Sequence, residues 1–137
     1  MIRSGPNDIT GIPHFDHVKV VGTVNHATVF PACRAVVHHG GAGTTAAGLR
    51  AGIPSLILWN GLDQPMWADA VERLKVGCGR HFPETTVESL IADLSSILAP
   101  QYLTRAHEVA NVMTNPADSV ASSADLLEHI ARRGRVG

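Results

Sequence analysis

Two adjacent histidines lead into four small residues and a pair of threonines at His38-His39-Gly40-Gly41-Ala42-Gly43-Thr44-Thr45. The apolar stretch Ala35-Val36-Val37 precedes this run, and the Ala-rich stretch Ala46-Ala47-Gly48-Leu49-Arg50-Ala51 follows it. Strand, glycine turn and helix in that order make a βα unit, with the helix expected to begin near Gly43. The first amides of a helix have no intrahelical partner, and the aligned peptide dipoles place about half a positive charge there. Glycines let a ligand approach the backbone, and the two threonine hydroxyls add donors. The chemistry that fits this spacing is anion binding, best matched by phosphate or diphosphate. A turn that only reverses the chain needs fewer of these features.

Two other phosphate motifs fit less well. The nucleoside-triphosphate loop GxxxxGK[ST] requires a lysine after the glycines, and none follows here. Gly41-x-Gly43-x-x-Ala46 satisfies the dinucleotide pattern G-x-G-x-x-G/A, and Asp63 lies twenty residues after Gly43. An NAD(P)-binding Rossmann unit therefore stands as an alternative. Against it, that pattern should follow the first strand and its acid should end the second, whereas Asp63 stands four residues beyond Trp59, beside a helix start. Successive strand side chains point to opposite faces, so His38 and His39 do not readily share one metal. One is expected to face the sheet surface and the other the ligand. No Cys/His/Asp spacing suggests zinc. His14, His17, His26, His81, His107 and His129 are read as ordinary residues, mostly on surface loops.

The elements that must position the glycine turn can be read along the chain. Residues 3–16, rich in Gly, Pro, Asn and Asp, read as loop, and the chain opens in what looks like a strand end. Val18-Lys19-Val20-Val21 predicts a strand. Asn25 is a plausible N-cap for a short helix from His26 to Cys33, stopped or kinked at Pro31. Residues 35–38 and 55–59 predict apolar strands without polar alternation, as in a buried parallel sheet. Gly52-Ile53-Pro54 ends the helix between them. Pro65 suits the first turn of a helix through about Lys75. Val76-Gly77-Cys78-Gly79 is a weak strand with little side-chain bulk. Leu90, Ile91, Leu94, Ile97 and Leu98 mark one helical face over residues 87–98, opened by Thr86 and Ser89. Helices over 101–113 and 118–132 follow, parted by Asn115-Pro116. The expected class is α/β, a Rossmann-like parallel sheet with flanking helices. Three strands and a weak fourth fall short of the usual five or six, so the sheet is expected to be incomplete and the chain one partial domain.

Composition narrows the field. The chain has 137 residues, 45% hydrophobic and 17% charged, with a net charge of -1. That excludes intrinsic disorder and disfavours nucleic-acid binding through phosphate neutralisation. No apolar run reaches the ~18 residues of a membrane span. Two cysteines, Cys33 and Cys78, form no CxxC and fit a reducing, cytoplasmic setting.

Taken together, Val24-Asn25-His26, the stretch Ala35 to Thr45, Ala51-Gly52-Ile53-Pro54 and Asp63-Gln64-Pro65 make a specific order and spacing. With them, residues from about 17 to 130 resemble the C-terminal, nucleotide-sugar-binding domain of GT-B glycosyltransferases. The resemblance is to the bacterial branch acting on glycopeptides, macrolides and lipids, related to sterol and plant UDP-glycosyltransferases. It implies that His39 and the turn Gly41, Ala42, Gly43 and Thr44 hold the donor's diphosphate. It likewise implies that Asp63 and Gln64 bind the donor sugar's hydroxyls, and that Val24 lies on the loop receiving the nucleobase. The plant relatives' ribose-binding glutamate falls at Ala47 here, which leaves ribose recognition unassigned. Trp59 and Trp67 flank the Asp63 segment and are read as core packing.

The implied reaction is inverting transfer of a sugar, a hexosyltransferase activity, from UDP- or TDP-sugar to an acceptor hydroxyl on a small molecule or lipid. It needs a base for the hydroxyl and stabilisation of the leaving diphosphate. This chain offers the second; no Asp-x-Asp occurs, which fits a metal-independent route with no cofactor. The resemblance places the catalytic histidine and its aspartate in the N-terminal acceptor domain, so no catalytic residue is assigned here and the chain alone is expected to transfer no sugar. Three explanations stand side by side, a fragment, a truncated relic, or a separate chain supplying that half, and self-association through uncovered strand edges is expected. A non-catalytic nucleotide-binding or interaction module from a truncated gene is the second alternative. On the helix over 118–132, Val120, Leu126, Leu127 and Ile130 could pack on that absent domain.

Overall fold

The computed structural model describes residues 1–4, 15–113 and 116–133. Its elements alternate, in chain order, as β1 (Ile2–Arg3), β2 (Val20–Val21), α1 (His26–Val29), β3 (Val36–His38), α2 (Ala42–Arg50), β4 (Ser55–Trp59), α3 (Gln64–Arg73), β5 (Gly77–His81), α4 (Val87–Ile97), α5 (Pro100–Val112) and α6 (Pro116–Arg133). All pairing is parallel, in two sheets: β1 beside β2, and β3-β4-β5. Parallel neighbours need a crossover, which α2 supplies between β3 and β4 and α3 between β4 and β5.

Local chemistry explains most boundaries. Asn25 caps α1, its side chain accepting from the Ala27 N–H at 3.0 Å. The helix read from His26 to Cys33 divides, because Pro31 cannot continue it; a 3-10 turn takes over at Phe30–Ala32. Gly52, with φ of 66°, follows the end of α2 in the left-handed conformation that favours glycine. Thr86 and Ser89 form a capping box at α4, with Thr86 N–H donating to Ser89 Oγ at 2.9 Å and Ser89 N–H to Thr86 Oγ1 at 3.2 Å.

β5 is longer than the weak strand expected from 76–79, and its lack of bulk has a cause. A Cβ on Gly77 would lie 2.1 Å from the Ser55 carbonyl oxygen, and one on Gly79 would lie 2.5 Å from Ala68 Cβ. Close backbone approach, rather than weak strand character, selects these glycines. The loop expected over 3–16 is interrupted at its start by β1, and its remainder is largely outside the described residues, as are His14 and Asn115.

The core lies on one face of the three-stranded sheet. Ile57, Ala68, Val71, Val76, Ala106 and Val109 are buried together there, with Leu49, Trp59 and Trp67 packed around them. On the opposite face α4 packs on β4 and β5, and a two-pronged pair from Arg80 to Asp93, at 2.6 and 2.9 Å, ties β5 to α4. β3 departs from the fully buried strand expected: Val37 is 45% exposed, because β3 is the sheet's edge. No helix among the described residues is long and apolar enough to cross a membrane.

Candidate functional site

In an open parallel sheet, ligands bind in the crevice beyond the carboxyl ends of the strands. Here β3 ends at His38 and β4 at Trp59, and both then turn into a helix N-terminus. α2 begins at Ala42, one residue earlier than expected, with Gly41 extended at its N-cap and offering no side-chain cap. The first helical bond runs from Thr45 N–H to Gly41 C=O at 3.0 Å. The amides of Ala42, Gly43 and Thr44 therefore open the helix without an intrahelical partner. Ala42 and Gly43 are exposed, and nothing lies within 4 Å of where a Gly43 Cβ would be. The pair of threonines divides its labour: Thr45 is fully buried and its hydroxyl donates to Gly41 C=O at 3.0 Å. Only the Thr44 hydroxyl remains for a ligand, a correction to the two donors expected.

The histidines part as strand alternation requires. His39 is exposed, and its ring lies against Gly41, with Nε2 2.9 Å from where a Gly41 Cβ would stand. His38 turns inward. Its Nδ1 accepts the Gly40 N–H at 3.0 Å, which assigns the ring proton to Nε2. That Nε2 is buried and has no hydrogen-bond partner. Burial, followed by the neighbouring imidazoles of His39 and His26, pushes the His38 pKa down to about 4, so the ring is neutral at pH 7. Sequence reasoning assigned the ligand to His39 alone; only tertiary burial distinguishes the orphaned donor on His38.

The second motif abuts the first. Gly40, at φ of 93°, has Gln64 Cβ and Ile57 Cγ2 so close that its own Cβ would come within 3.1 and 2.8 Å of them. Gln64 Oε1 accepts the Asn60 N–H at 2.8 Å, which closes the turn after β4 and leaves the Gln64 amide NH2 for other partners. Asp63 is the N-cap of α3 but makes no cap bond; its Oδ2 accepts the Trp67 indole N–H at 3.0 Å. That geometry keeps the second carboxylate oxygen exposed. Leu62, between Gly61 and Asp63, holds a positive φ of 59° and is 95% exposed. Trp59 packs on the core edge and against His81, with the rings tilted by 31° and their centroids 4.5 Å apart.

Val24, His39 and Thr44 line one cavity of about 650 Å³, together with His26, Phe30 and His38. Gln64 reaches that group through Gly40, whereas Asp63 stands outside its wall. The other histidines are less loop-bound than expected: His26, His107 and His129 lie on helices, and His81 ends β5. Among the described residues, no group of three or more His, Cys, Asp or Glu side chains is placed to hold a metal ion.

The chain resembles known proteins throughout this region. It is 69% identical over 135 residues to an uncharacterised glycosyltransferase of Mycobacterium tuberculosis, a match covering 98% of this chain and 33% of the relative. The chain thus spans about a third of the length of the curated relatives it matches. The glycosyltransferase VinC, solved in complex with dTDP, superposes with a TM-score of 0.71 at 27% identity, over 83% of this chain and 30% of VinC. The spinosyn forosaminyltransferase SpnP shares the fold, with a TM-score of 0.77 at 20% identity over 92% of this chain and 35% of SpnP. These neighbours are GT-B glycosyltransferases, and the α/β class and parallel sheet expected from the sequence agree with them. Residues 3–126 match the model of the erythromycin biosynthesis protein CIII-like C-terminal domain, and the chain belongs to that glycosyltransferase family.

Proposed function

We propose that the chain is a donor-binding domain that holds a nucleotide-diphosphate sugar, a UDP- or TDP-sugar, for inverting transfer to an acceptor hydroxyl. The observation that carries this reading is the uncapped start of α2, with three unpartnered amides beside two imidazoles at the strand-end crevice. The helix dipole and those N–H groups suit a diphosphate. The Thr44 hydroxyl and His39 are the side-chain donors assigned to it, and the neutral His38 Nε2–H is a third. The Gln64 amide and the free oxygen of Asp63 supply a donor and an acceptor for vicinal sugar hydroxyls. Val24 borders the same cavity and is assigned to the nucleobase. The complex of VinC with dTDP supports the diphosphate assignment by analogy of fold.

In transfer, the acceptor oxygen attacks the anomeric carbon while the carbon–oxygen bond to the diphosphate breaks. Negative charge then grows on the leaving group, where preorganised donors lower the barrier. This route asks for no metal. The base that takes the acceptor's proton is assigned to an acceptor domain outside this chain, so the chain alone carries no transferase activity. The free thiols Cys33 and Cys78 accord with a cytoplasmic setting. Isothermal titration with dTDP and UDP tests the reading: saturable heat at sub-millimolar to millimolar nucleotide is expected. Equal response to NAD would favour the dinucleotide alternative.

A further inference from the structure

Two residues other than glycine hold a positive φ among the described residues, Leu62 and Lys75, each at 59°. A Cβ makes that conformation costly, so each calls for a reason. Lys75 has its reason inside the chain. It follows the end of α3, where its N–H donates to Glu72 C=O at 2.9 Å and the Val76 N–H donates to Val71 C=O at 3.0 Å. That pair of bonds closes a helix through a left-handed residue, and the lysine side chain stays exposed to water.

Leu62 ends no helix; it lies in the turn between β4 and α3. Its side chain is apolar and 95% exposed, so it adds nothing to the core. Glycine would take this φ without strain, and would serve the backbone of the turn better. The turn is nevertheless closed around it: Asn60 N–H donates to Gln64 Oε1 at 2.8 Å, and Gln64 N–H to Gly61 C=O at 3.3 Å. A strained, apolar, solvent-facing residue on a closed turn points to a contact outside the chain.

The neighbours of Leu62 narrow what that contact is. Asp63 follows directly, its carboxylate tied through Oδ2 to the Trp67 indole at 3.0 Å. Met66, 56% exposed, comes next on α3, and its N–H donates to Asp63 C=O at 3.1 Å. Asp63 is therefore flanked along the chain by two exposed apolar side chains. A sugar presents the matching mixture, hydroxyls at its rim and C–H groups on its faces. Asp63 and Gln64 can serve the hydroxyls; neither can serve the C–H groups.

We propose that Leu62 is a further specificity-determining residue for the donor sugar, its side chain covering a C–H face of the ring while Asp63 and Gln64 hold hydroxyls. This inference rests on the donor-binding reading above. Pressing the C–H face against the leucine removes apolar area of both from water. A ring that turns a hydroxyl toward Leu62 is disfavoured, because that hydroxyl loses water and gains no partner. The left-handed φ then has its reason: it keeps the side chain off the chain's own core and available to the ligand.

Calorimetry separates the nucleotide from the sugar. The chain is titrated with dTDP and UDP, and with dTDP-glucose, dTDP-rhamnose, UDP-glucose and UDP-galactose. At least one sugar nucleotide is expected to bind about fivefold or more tightly than its bare nucleotide. Leu62→Gly suits a φ of 59°, so its urea midpoint should hold or rise. It should leave bare-nucleotide affinity within about twofold and remove most of the gain from the sugar. Leu62→Met should keep that gain; Leu62→Asn, polar and tolerant of this φ, should lose it. No heat with either bare nucleotide overturns the donor-binding reading and this inference with it. Nucleotide heat with no gain from any sugar, or a gain that survives in Leu62→Gly, overturns the inference alone and leaves donor binding standing. Equal losses for bare and sugar nucleotides in Leu62→Gly also overturn it.

Discussion

Gly40 sits flush against Gln64: a methyl group on Gly40 would stand 3.1 Å from Gln64 Cβ and 3.3 Å from the Gln64 carbonyl oxygen. This contact joins the glycine turn after β3 to the start of α3, and so sets the diphosphate seat beside the residues assigned to the sugar. The positive φ of 93° makes glycine the favoured residue there in its own right. Gly40→Ala is therefore expected to cost at least about 1–3 kcal/mol, read as a lower urea midpoint, and to weaken dTDP binding with it. An unchanged midpoint would show that the two turns move independently.

Gly43 permits the converse experiment, since open space surrounds it. Gly43→Glu places a carboxylate in the first turn of α2, where it complements the helix dipole by about 0.3–1 kcal/mol. Thermal stability should hold or rise slightly, while dTDP affinity falls at least tenfold by calorimetry because the carboxylate occupies the anion's ground. Retained affinity would move the diphosphate elsewhere.

Asp63→Asn keeps an oxygen able to accept the Trp67 indole N–H but removes the charge. Affinity for dTDP should be unchanged, whereas the extra affinity that a matching dTDP-sugar shows over dTDP should shrink severalfold. Equal losses for both ligands would assign Asp63 to the general field of the site instead of the sugar.

His38 makes stability depend on pH. Its ring titrates near 6.5 in the unfolded chain and at about 4 when folded. Between these values the unfolded chain binds more protons, so this contribution is complete above pH 6.5 and is lost as pH falls through 4. The full effect is on the order of 3 kcal/mol. Urea unfolding at pH 7.5, 6, 5 and 4 should show the loss. His38→Asn, which retains an acceptor for the Gly40 N–H, should flatten that part of the profile.

On α6, Val120, Leu126, Leu127 and Ile130 are each more than half exposed, so replacing them removes little burial. Leu127→Lys should leave the unfolding midpoint within about 0.5 kcal/mol and reduce any self-association seen by light scattering.

The sequence made some of this molecule legible and hid the rest for identifiable reasons. β4 and α2 were readable because Leu56 and Ile57 are continuously apolar and the helix is flanked by glycines that open and close it. β1 was readable only as a strand end: two residues, Ile2 and Arg3, carry no periodicity, and their pairing with Val20 and Val21 is non-local. β5 seemed weak because Gly77 and Gly79 are chosen by neighbours, Ser55 and Ala68, that sequence does not place beside them. At the site, the His-Gly-Thr run could be recognised as an anion seat. Which histidine is buried and which threonine is consumed by the backbone depended on contacts that Thr44 and Thr45, identical in type, could not reveal.

The most direct measurement of the central claim is a ¹H–¹⁵N spectrum of the chain titrated with dTDP and with UDP. The account predicts that the amides of Ala42, Gly43 and Thr44 shift together and saturably, accompanied by the His39 ring resonances. Shifts confined to other residues, or none at millimolar nucleotide, would contradict it.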